Sequence, residues 1–463
     1  MGAIYRPAPA RARYDETLRA EAYTASLEDP RVVYSLIRLT AEAEDGGGAG
    51  PYRQAGSTVD ALRRPVNLAL VIDRSSSMRG PRLAQAVLAV RRVVERLDER
   101  DRLSVVTFDA AVRILLPPGP VTSDARRRLQ LELDRLETGA GTNLAAGWRK
   151  GCELVSAGFV REAIARVILL TDGLPSVGIR DAEKLAVIAE AEAARGVSTT
   201  TMGIGEAFDD ELLGEVARRG QGGFYYLASP EAIPAAFGRE LAGVFAISAS
   251  RVEMKIVLED NITACEVLHR LTTRAASDGL IVEVGEIAHG APRQVLVRMM
   301  QREVDPHRLL AKVMVTYRDA AGRESAHLAR ISMSGQGTAN RAELAEVALE
   351  RLRLASATAV DEAWARRASG HRDQAFAALA DVRSAIAGAR DRNLAPRNLL
   401  DQMSQEILQA EEALAGAARE AERYRRAARE RSHVTLLGQS VVRPLPSEPD
   451  PDPHGGSGRG QGE

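Results

Sequence analysis

The stretch VNLALVIDRSSSM, residues 66–78, decides the fold of the central part of the chain. Residues 66–73 are nearly all apolar and end in Asp73, a pattern typical of a strand buried on both faces. A short polar turn follows, and from Pro81 to Leu97 apolar residues recur at helical spacing. A buried strand that leads through a turn into an amphipathic helix indicates an α/β fold.

The same alternation continues on the C-terminal side of this stretch. Further strands are predicted at residues 102–108, 111–116, 166–172, 197–205 and 223–227, and helical segments lie between most of them. Mostly alternating strands and helices of this length predict a doubly wound α/β domain. We place its bounds at residues 65–248.

The chain changes character on both sides of this domain. Residues 249–335 carry short strands at regular spacing, which predict an all-β sandwich. In residues 1–64 one strand is predicted, at 31–43, and it has no partner nearby in the sequence. We expect this strand to join the sandwich. The α/β domain would then be inserted in the sandwich. Otherwise the sandwich would simply follow the α/β domain in sequence.

The C-terminal part is predicted to be helical and then disordered. Residues 340–431 are rich in Ala, Leu, Glu and Arg, and Gly370 and Pro396 divide them into about three helices. The arginines between 419 and 431 are interpreted as a solvated helix face with internal ion pairs. The tail, residues 444–463, is rich in Pro, Gly and acidic residues and is expected to be disordered.

Composition excludes several classes of protein. The chain has 463 residues and 62 basic against 63 acidic side chains, so a globally basic nucleic-acid binder is not expected. Two cysteines cannot build a disulfide framework. No apolar run is long enough to span a bilayer, and no signal peptide is recognised. We therefore expect a cytoplasmic protein without a membrane span.

Polar side chains lie at the ends of two predicted strands and in the loop before a predicted helix. Asp73, Ser75 and Ser77 come at the end of the first strand, Thr142 precedes a helix, and Asp172 ends the strand RVILLTD. Ligands of open α/β sheets bind outside the carboxyl ends of strands, so these side chains can converge. Taken singly, each has a structural explanation, because Ser, Thr and Asp are common in turns and helix caps.

Together the five side chains suit a hard divalent cation. Hydroxyl and carboxylate oxygens are the ligands that Mg²⁺ prefers, and Mn²⁺ is the second candidate. We expect Asp73 to lie at a solvent-facing rim and one of the two carboxylates to act through water. No P-loop or dinucleotide motif is present, and no His lies within the predicted α/β domain. The sequence thus offers metal ligands but no catalytic residues, which favours a protein that is not an enzyme.

The set Asp73-x-Ser75-x-Ser77, Thr142 and Asp172 resembles the metal-ion-dependent adhesion site (MIDAS) of the von Willebrand factor A (VWA) family. The phrases LALVIDRSSSM, GAGTNL and VILLTDG are similar to those of bacterial members. The resemblance implies a Rossmann-like doubly wound domain and a bound divalent cation. It also implies metal-dependent capture of a protein partner, whose exposed Asp or Glu completes the metal shell.

Two other functions remain open at the level of the sequence. The chain could be an accessory subunit of a MoxR- or chelatase-type AAA+ ATPase, as the resemblance to some bacterial proteins suggests. It could also be a metal-dependent hydrolase, although no general base is visible near the five residues.

Overall fold

The computed structural model describes residues 17–42, 63–158, 160, 162–305, 308–319, 322–332 and 341–439. The predicted disordered tail, residues 444–463, lies outside the described residues. Two antiparallel strands come first in the described part: β1 (Thr17–Ala25) and β2 (Val32–Glu42). The alternating pattern of β1 includes three alanines, which have low strand propensity, and this strand was not predicted from the sequence.

The central α/β unit follows these two strands. Its six-stranded sheet has the order β5-β4-β3-β6-β7-β8, in which only β5 runs antiparallel to its neighbour. One apolar core joins the sheet to α1, α2 and α6, and a second core joins its other face to α3, α4 and α5. Helices on both faces explain why the central strands are apolar on both sides. The elements are β3 (Val66–Asp73), α1 (Pro81–Arg96), β4 (Arg102–Phe108), β5 (Val112–Pro120), α2 (Ser123–Asp134), α3 (Leu144–Ala157), β6 (Ile164–Thr171), α4 (Ala182–Ala194), β7 (Val197–Ile204), α5 (Asp210–Arg219), β8 (Gln221–Leu227) and α6 (Ile233–Phe245).

The next segment forms two antiparallel sheets together with β1 and β2. One sheet has the order β1-β2-β13-β10 and the other β11-β12-β9-β14-β15. Both sheets contribute to a single apolar core, which includes Ile37 and Val295 from the first and Met254 and Val313 from the second. The new strands are β9 (Ile247–Leu258), β10 (Ile262–Val267), β11 (Thr272–Ala276), β12 (Gly279–Ala288), β13 (Arg293–Gln301), β14 (Leu309–Arg318) and β15 (Glu324–Ser332).

Strand β2 pairs with β13, far along the chain. Leu36 lies opposite Leu296 in an antiparallel register. The chain therefore leaves this sheet after β2, forms the α/β unit and returns to the two-sheet region with β9. The α/β unit lies in sequence between strands that share one core.

The C-terminal region holds four helices in the described residues, not the predicted three. They are α7 (Arg341–Ala368), α8 (Arg372–Asp391), α9 (Arg397–Ala415) and α10 (Ala418–Leu436). The break that the sequence did not reveal lies at Gly416, whose extended backbone ends α9. Its neighbours are mostly Ala and Glu, which are good helix formers, so little in the local sequence marks this break. In the described residues, no helix is both long enough and apolar enough to cross a bilayer.

Helix α10 packs against the α/β unit. Arg425 pairs with both carboxylate oxygens of Asp210 at 2.7 and 2.8 Å, and Arg429 contacts the same carboxylate at 3.0 Å. Arg426 is buried and donates to the carbonyl of Gly205. The internal ion pairs expected for this arginine-rich segment are present, since Glu422 pairs with both Arg425 and Arg426. The expectation that the whole face is solvated is wrong, because Arg425 and Arg429 also pair with Asp210, more than 200 residues earlier, where no local pattern reveals it.

Candidate metal centre

The candidate site lies where the order of strands reverses. Strand β3 has β4 on one side and β6 on the other, and all three run parallel. Asp73 ends β3 and Asp172 directly follows β6, so both carboxylates lie at the same edge of the sheet. Ile72 is in register with Leu170, which brings the Thr171 hydroxyl within 2.5 Å of Asp73 Oδ2. This edge is the usual location of ligand sites in open α/β sheets.

Short hydrogen bonds connect four of the predicted side chains. The Ser75 amide donates to Asp73 Oδ1 at 2.7 Å. The Ser77 hydroxyl donates to Asp172 Oδ1 at 2.6 Å, and the Ser75 and Ser77 hydroxyl oxygens are 3.0 Å apart. If Ser77 gives its proton to Asp172, Ser75 must be the donor to Ser77. Lone pairs on both hydroxyl oxygens then remain for a further ligand.

The two carboxylates are more deeply buried than the sequence suggested. Asp73 and Asp172 have no accessible surface, whereas Ser77 is exposed. The expectation that Asp73 lies at a solvent-facing rim is wrong, because Ser75 and Thr171 enclose it. Burial raises the pKa of Asp73 to about 6, although its hydrogen bonds to Thr171 and Ser75 oppose the shift. A buried charge of this kind favours a cation as its partner.

The main chain of Thr142 is bonded to the loop that follows Asp172, and its side chain has no hydrogen bond to the other four candidate ligands among the described residues. Its amide donates to the Ser176 hydroxyl at 2.8 Å, and its carbonyl accepts from the amides of Ser176 at 3.0 Å and Val177 at 3.2 Å. These bonds join the loop before α3 to the loop that follows Asp172. Thr142 is not the helix cap that its position allowed, because Asn143 caps α3 by accepting from the amide of Ala146.

The donor set fits a hard divalent cation. Two carboxylates and the hydroxyls of two serines are connected directly, and the Thr142 loop is tied beside them. In the described part of the chain, no group of three His, Cys, Asp or Glu side chains is arranged to hold a metal. A cation at this edge would therefore depend on hydroxyl oxygens, which suit Mg²⁺ and Mn²⁺ better than softer metals.

Sequence reasoning missed two side chains of this cluster. Thr171 orients Asp73, and Arg82, in the first turn of α1, donates to Asp172 Oδ2 at 2.5 Å. Thr171 is the last residue of β6, and its residue type is ordinary for a strand. Arg82 lies 90 residues from Asp172 in sequence, so only the fold brings the two together.

Asp109, at the end of β4, has a structural role beside the site. It accepts from the amide of Ala111 at 2.7 Å and pairs with Arg74 at 2.6 Å. A Cβ atom at Gly139 would lie 1.7 Å from the Asp109 carboxylate, so the loop that leads to Thr142 packs directly on it.

The fold of the α/β unit is that of a VWA domain. Residues 67–239 match the family model for the von Willebrand factor type A domain, so the chain contains a domain of this family. The match covers the strands that carry Asp73 and Asp172 and the loop that carries Thr142.

Individual relatives share this part of the chain. An uncharacterised protein, sll0103, of Synechocystis sp. is 30% identical over 207 residues, which are 43% of this chain and 48% of the relative. The uncharacterised protein YfbK of Escherichia coli is 28% identical over 163 residues, which are 35% of this chain and 28% of the relative. The chain thus spans less than half the length of either relative.

One solved structure extends the likeness beyond the VWA domain. The von Willebrand factor type A protein from Catenulispora acidiphila superposes with a TM-score of 0.64 at 18% identity. The alignment covers 83% of this chain and 89% of that protein, and it shows that most of the fold is shared.

Proposed function

We propose that the chain binds a divalent cation at Asp73, Ser75, Ser77, Thr142 and Asp172, and through it an acidic side chain of a protein partner. Mg²⁺ is the preferred ion and Mn²⁺ the second candidate. The observation that carries the proposal is the hydrogen-bonded cluster of two buried carboxylates and two hydroxyls at the edge where the strand order reverses. VWA domains generally mediate metal-dependent protein interactions, and the match over residues 67–239 supports the same role here.

The hydroxyl and carboxylate residues of the proposed site have different roles. Ser75, which is buried, and Ser77, which is exposed, would supply two adjacent hydroxyl oxygens to the cation. Asp73 and Asp172 lie behind them and supply negative charge without access to solvent. The main chain of Thr142 is fixed by its bonds to Ser176, and its hydroxyl is the third proposed to bind the cation. When bound, the cation supplies a Lewis-acidic position that attracts a carboxylate.

Affinity capture with native lysate tests this proposal. The wild-type chain and the variant Asp73→Ala are used as baits, each with Mg²⁺ and with EDTA. We expect at least one protein to be retained only by wild type in Mg²⁺, and its binding to be competed by an excess of acetate. Asp134→Ala is the matched control, because Asp134 is an exposed aspartate of α2 that pairs with Arg91.

Retention of the same proteins in all conditions, or by Asp73→Ala as well as wild type, would contradict the proposal. An AAA+ ATPase among the metal-dependent partners would specify the partner class. Metal-dependent turnover of a phosphate or acyl ester that disappears in Asp73→Ala would instead favour a hydrolase.

A further inference from the structure

Arg82 is a charged side chain of the candidate metal centre that the function described so far does not use. Its guanidinium donates to Asp172 Oδ2 at 2.5 Å and to the Ser77 carbonyl at 3.1 Å. The Arg82 side chain is 34% exposed, so its guanidinium lies between the buried carboxylate of Asp172 and solvent.

The contacts of Asp172 are divided between its two oxygens. Oδ1 accepts from the Ser77 hydroxyl, on the side of the predicted ligands, and Oδ2 accepts from Arg82. A carboxylate whose second oxygen is bound by a guanidinium is fixed in orientation and presents only one oxygen to the site. Arg82 therefore positions Asp172 and at the same time adds a positive charge beside it.

The structure makes room for this guanidinium. Gly205, which follows β7, has a φ of +73°, and a Cβ atom there would lie 3.3 Å from Arg82 Nη2. A glycine at this point lets the loop turn past the guanidinium with its backbone alone. Arg82 is thus held by Asp172 and Ser77 and bordered by Gly205, not free to sample the solvent.

The formal charges of the site determine what this cation does. Asp73 and Asp172 contribute −2, and Arg82 reduces the total to −1. The neighbouring Arg74 and Asp109 pair with each other at 2.6 Å and cancel. With a divalent cation the total becomes +1 with Arg82 present, but 0 without it. A net positive site attracts a carboxylate, and a less negative site binds a metal ion less tightly.

We propose that Arg82 tunes this site: it weakens the binding of the divalent cation and strengthens the binding of the partner's carboxylate to the metal-loaded form. The inference rests on the proposed function and adds to it a residue that determines specificity for anionic partners. Arg82 acts on the metal ion indirectly, by positioning Asp172, and contacts the carboxylate of the partner directly.

The test measures two affinities in the full-length protein. Mn²⁺ binding is followed by electron paramagnetic resonance of the free ion. Acetate binding to the Mn²⁺-loaded protein is followed by the relaxation of its methyl protons. For Arg82→Gln we expect the Mn²⁺ dissociation constant to fall about tenfold and the acetate dissociation constant to rise about tenfold, because one full charge is removed beside both ligands.

Two further variants separate charge from structure. Arg91→Gln removes an arginine of the same helix that pairs with Asp134 away from the site, and both constants should equal those of wild type. Arg82→Lys retains the charge without the planar guanidinium, so Mn²⁺ affinity should stay near wild type and acetate binding should be intermediate.

Three results would overturn the proposal. If Arg82→Gln has the same Mn²⁺ and acetate dissociation constants as Arg91→Gln, Arg82 does not tune the site, while the proposed metal binding stands. Weaker Mn²⁺ binding in Arg82→Gln would show that Arg82 only holds Asp172 in place. A wild-type protein that binds no Mn²⁺ at all would overturn the proposed function and this inference together.

Discussion

Two clusters of buried aspartates in the VWA domain have different surroundings. Asp73 and Asp172 are held mainly by hydroxyls and an amide, and one guanidinium, that of Arg82, contacts Asp172. Asp210, at the start of α5, is contacted by two guanidinium groups, from Arg425 and Arg429. The first cluster therefore has two carboxylates and one arginine, whereas the second has one carboxylate and two arginines.

The difference shows how burial alone fails to define a site. The Asp210 cluster is compensated within the chain and joins α10 to the α/β unit, so it is structural. The Asp73–Asp172 cluster lacks one positive charge and has hydroxyl lone pairs on its exposed side. A pair of buried carboxylates with only one arginine beside it favours an external cation, whereas Asp210, which pairs with two arginines, does not.

Replacing an aspartate of the first cluster should have the largest effect. Asp73→Asn should reduce Mg²⁺ affinity more than about 100-fold, beyond the range seen when groups behind a metal ligand are changed. Unfolding in EDTA should be unaffected or shifted to higher temperature, because a buried charge is removed. Calorimetric titration and thermal melts measure the two quantities. Equal Mg²⁺ affinity in wild type and Asp73→Asn would contradict the assignment.

The contact of α10 should weaken in acid through His433. Its Nε2 lies 3.1 Å from the Gly222 carbonyl, and burial lowers its pKa from 6.5 to about 4. The folded state therefore disfavours the proton, so stability is complete above pH 6.5 and is lost as the pH falls toward 4. The expected loss is about 3 kcal/mol.

Urea unfolding of wild type and His433→Gln between pH 7 and pH 4 measures this contribution. Only wild type should lose this stability as the pH falls, since the amide of Gln can donate to the Gly222 carbonyl at every pH. The same pH dependence in both proteins would show that His433 does not control the contact.

The second aspartate cluster should affect stability and not metal binding. Asp210→Asn removes the charged partner that Arg425 and Arg429 share, although Arg425 keeps Glu422, and since both arginines are partly exposed we expect a loss of about 2 kcal/mol. Mg²⁺ affinity should stay within about threefold of wild type, since the two clusters share no hydrogen bond. Urea unfolding and Mg²⁺ titration test both statements. A large loss of Mg²⁺ affinity would show that the clusters are coupled.

Protons should compete with the metal at the first cluster. The pKa of Asp73 is raised to about 6 in the folded protein, so its proton must leave before the carboxylate can face a cation. Mg²⁺ affinity should therefore fall about tenfold between pH 7 and pH 5, while Asp73→Asn should lack this dependence. Titrations at the two pH values check the slope. A constant affinity for wild type would mean that Asp73 does not take part.

Much of the architecture could be predicted because its signals are local. The apolar run of β3, the turn after Asp73 and the alternation of strands and helices lie within short windows of sequence. The five candidate ligands could be proposed because their residue types and order resemble a known motif. The structure adds the hydrogen bonds that join Asp73, Ser75, Ser77 and Asp172, which no pattern in the sequence specifies.

What escaped prediction depends on contacts between distant segments. Arg82 and Asp172 are 90 residues apart, and Arg425 and Asp210 are 215 apart. An arginine-rich helix looks solvated until the acidic residues it meets are known. Likewise, Asp73 directly precedes a polar turn and was expected near the rim, although Thr171 at the end of the neighbouring strand covers it.

The central claim is that the edge at Asp73 and Asp172 is a cation site, and a crystal structure with Mn²⁺ tests it most directly. Anomalous scattering locates the ion without assumptions about its ligands. The account predicts one strong peak bordered by the hydroxyls of Ser75 and Ser77, with Thr142 and the two carboxylates around it. No peak at this edge in crystals saturated with Mn²⁺, or a peak only elsewhere on the protein, would contradict it.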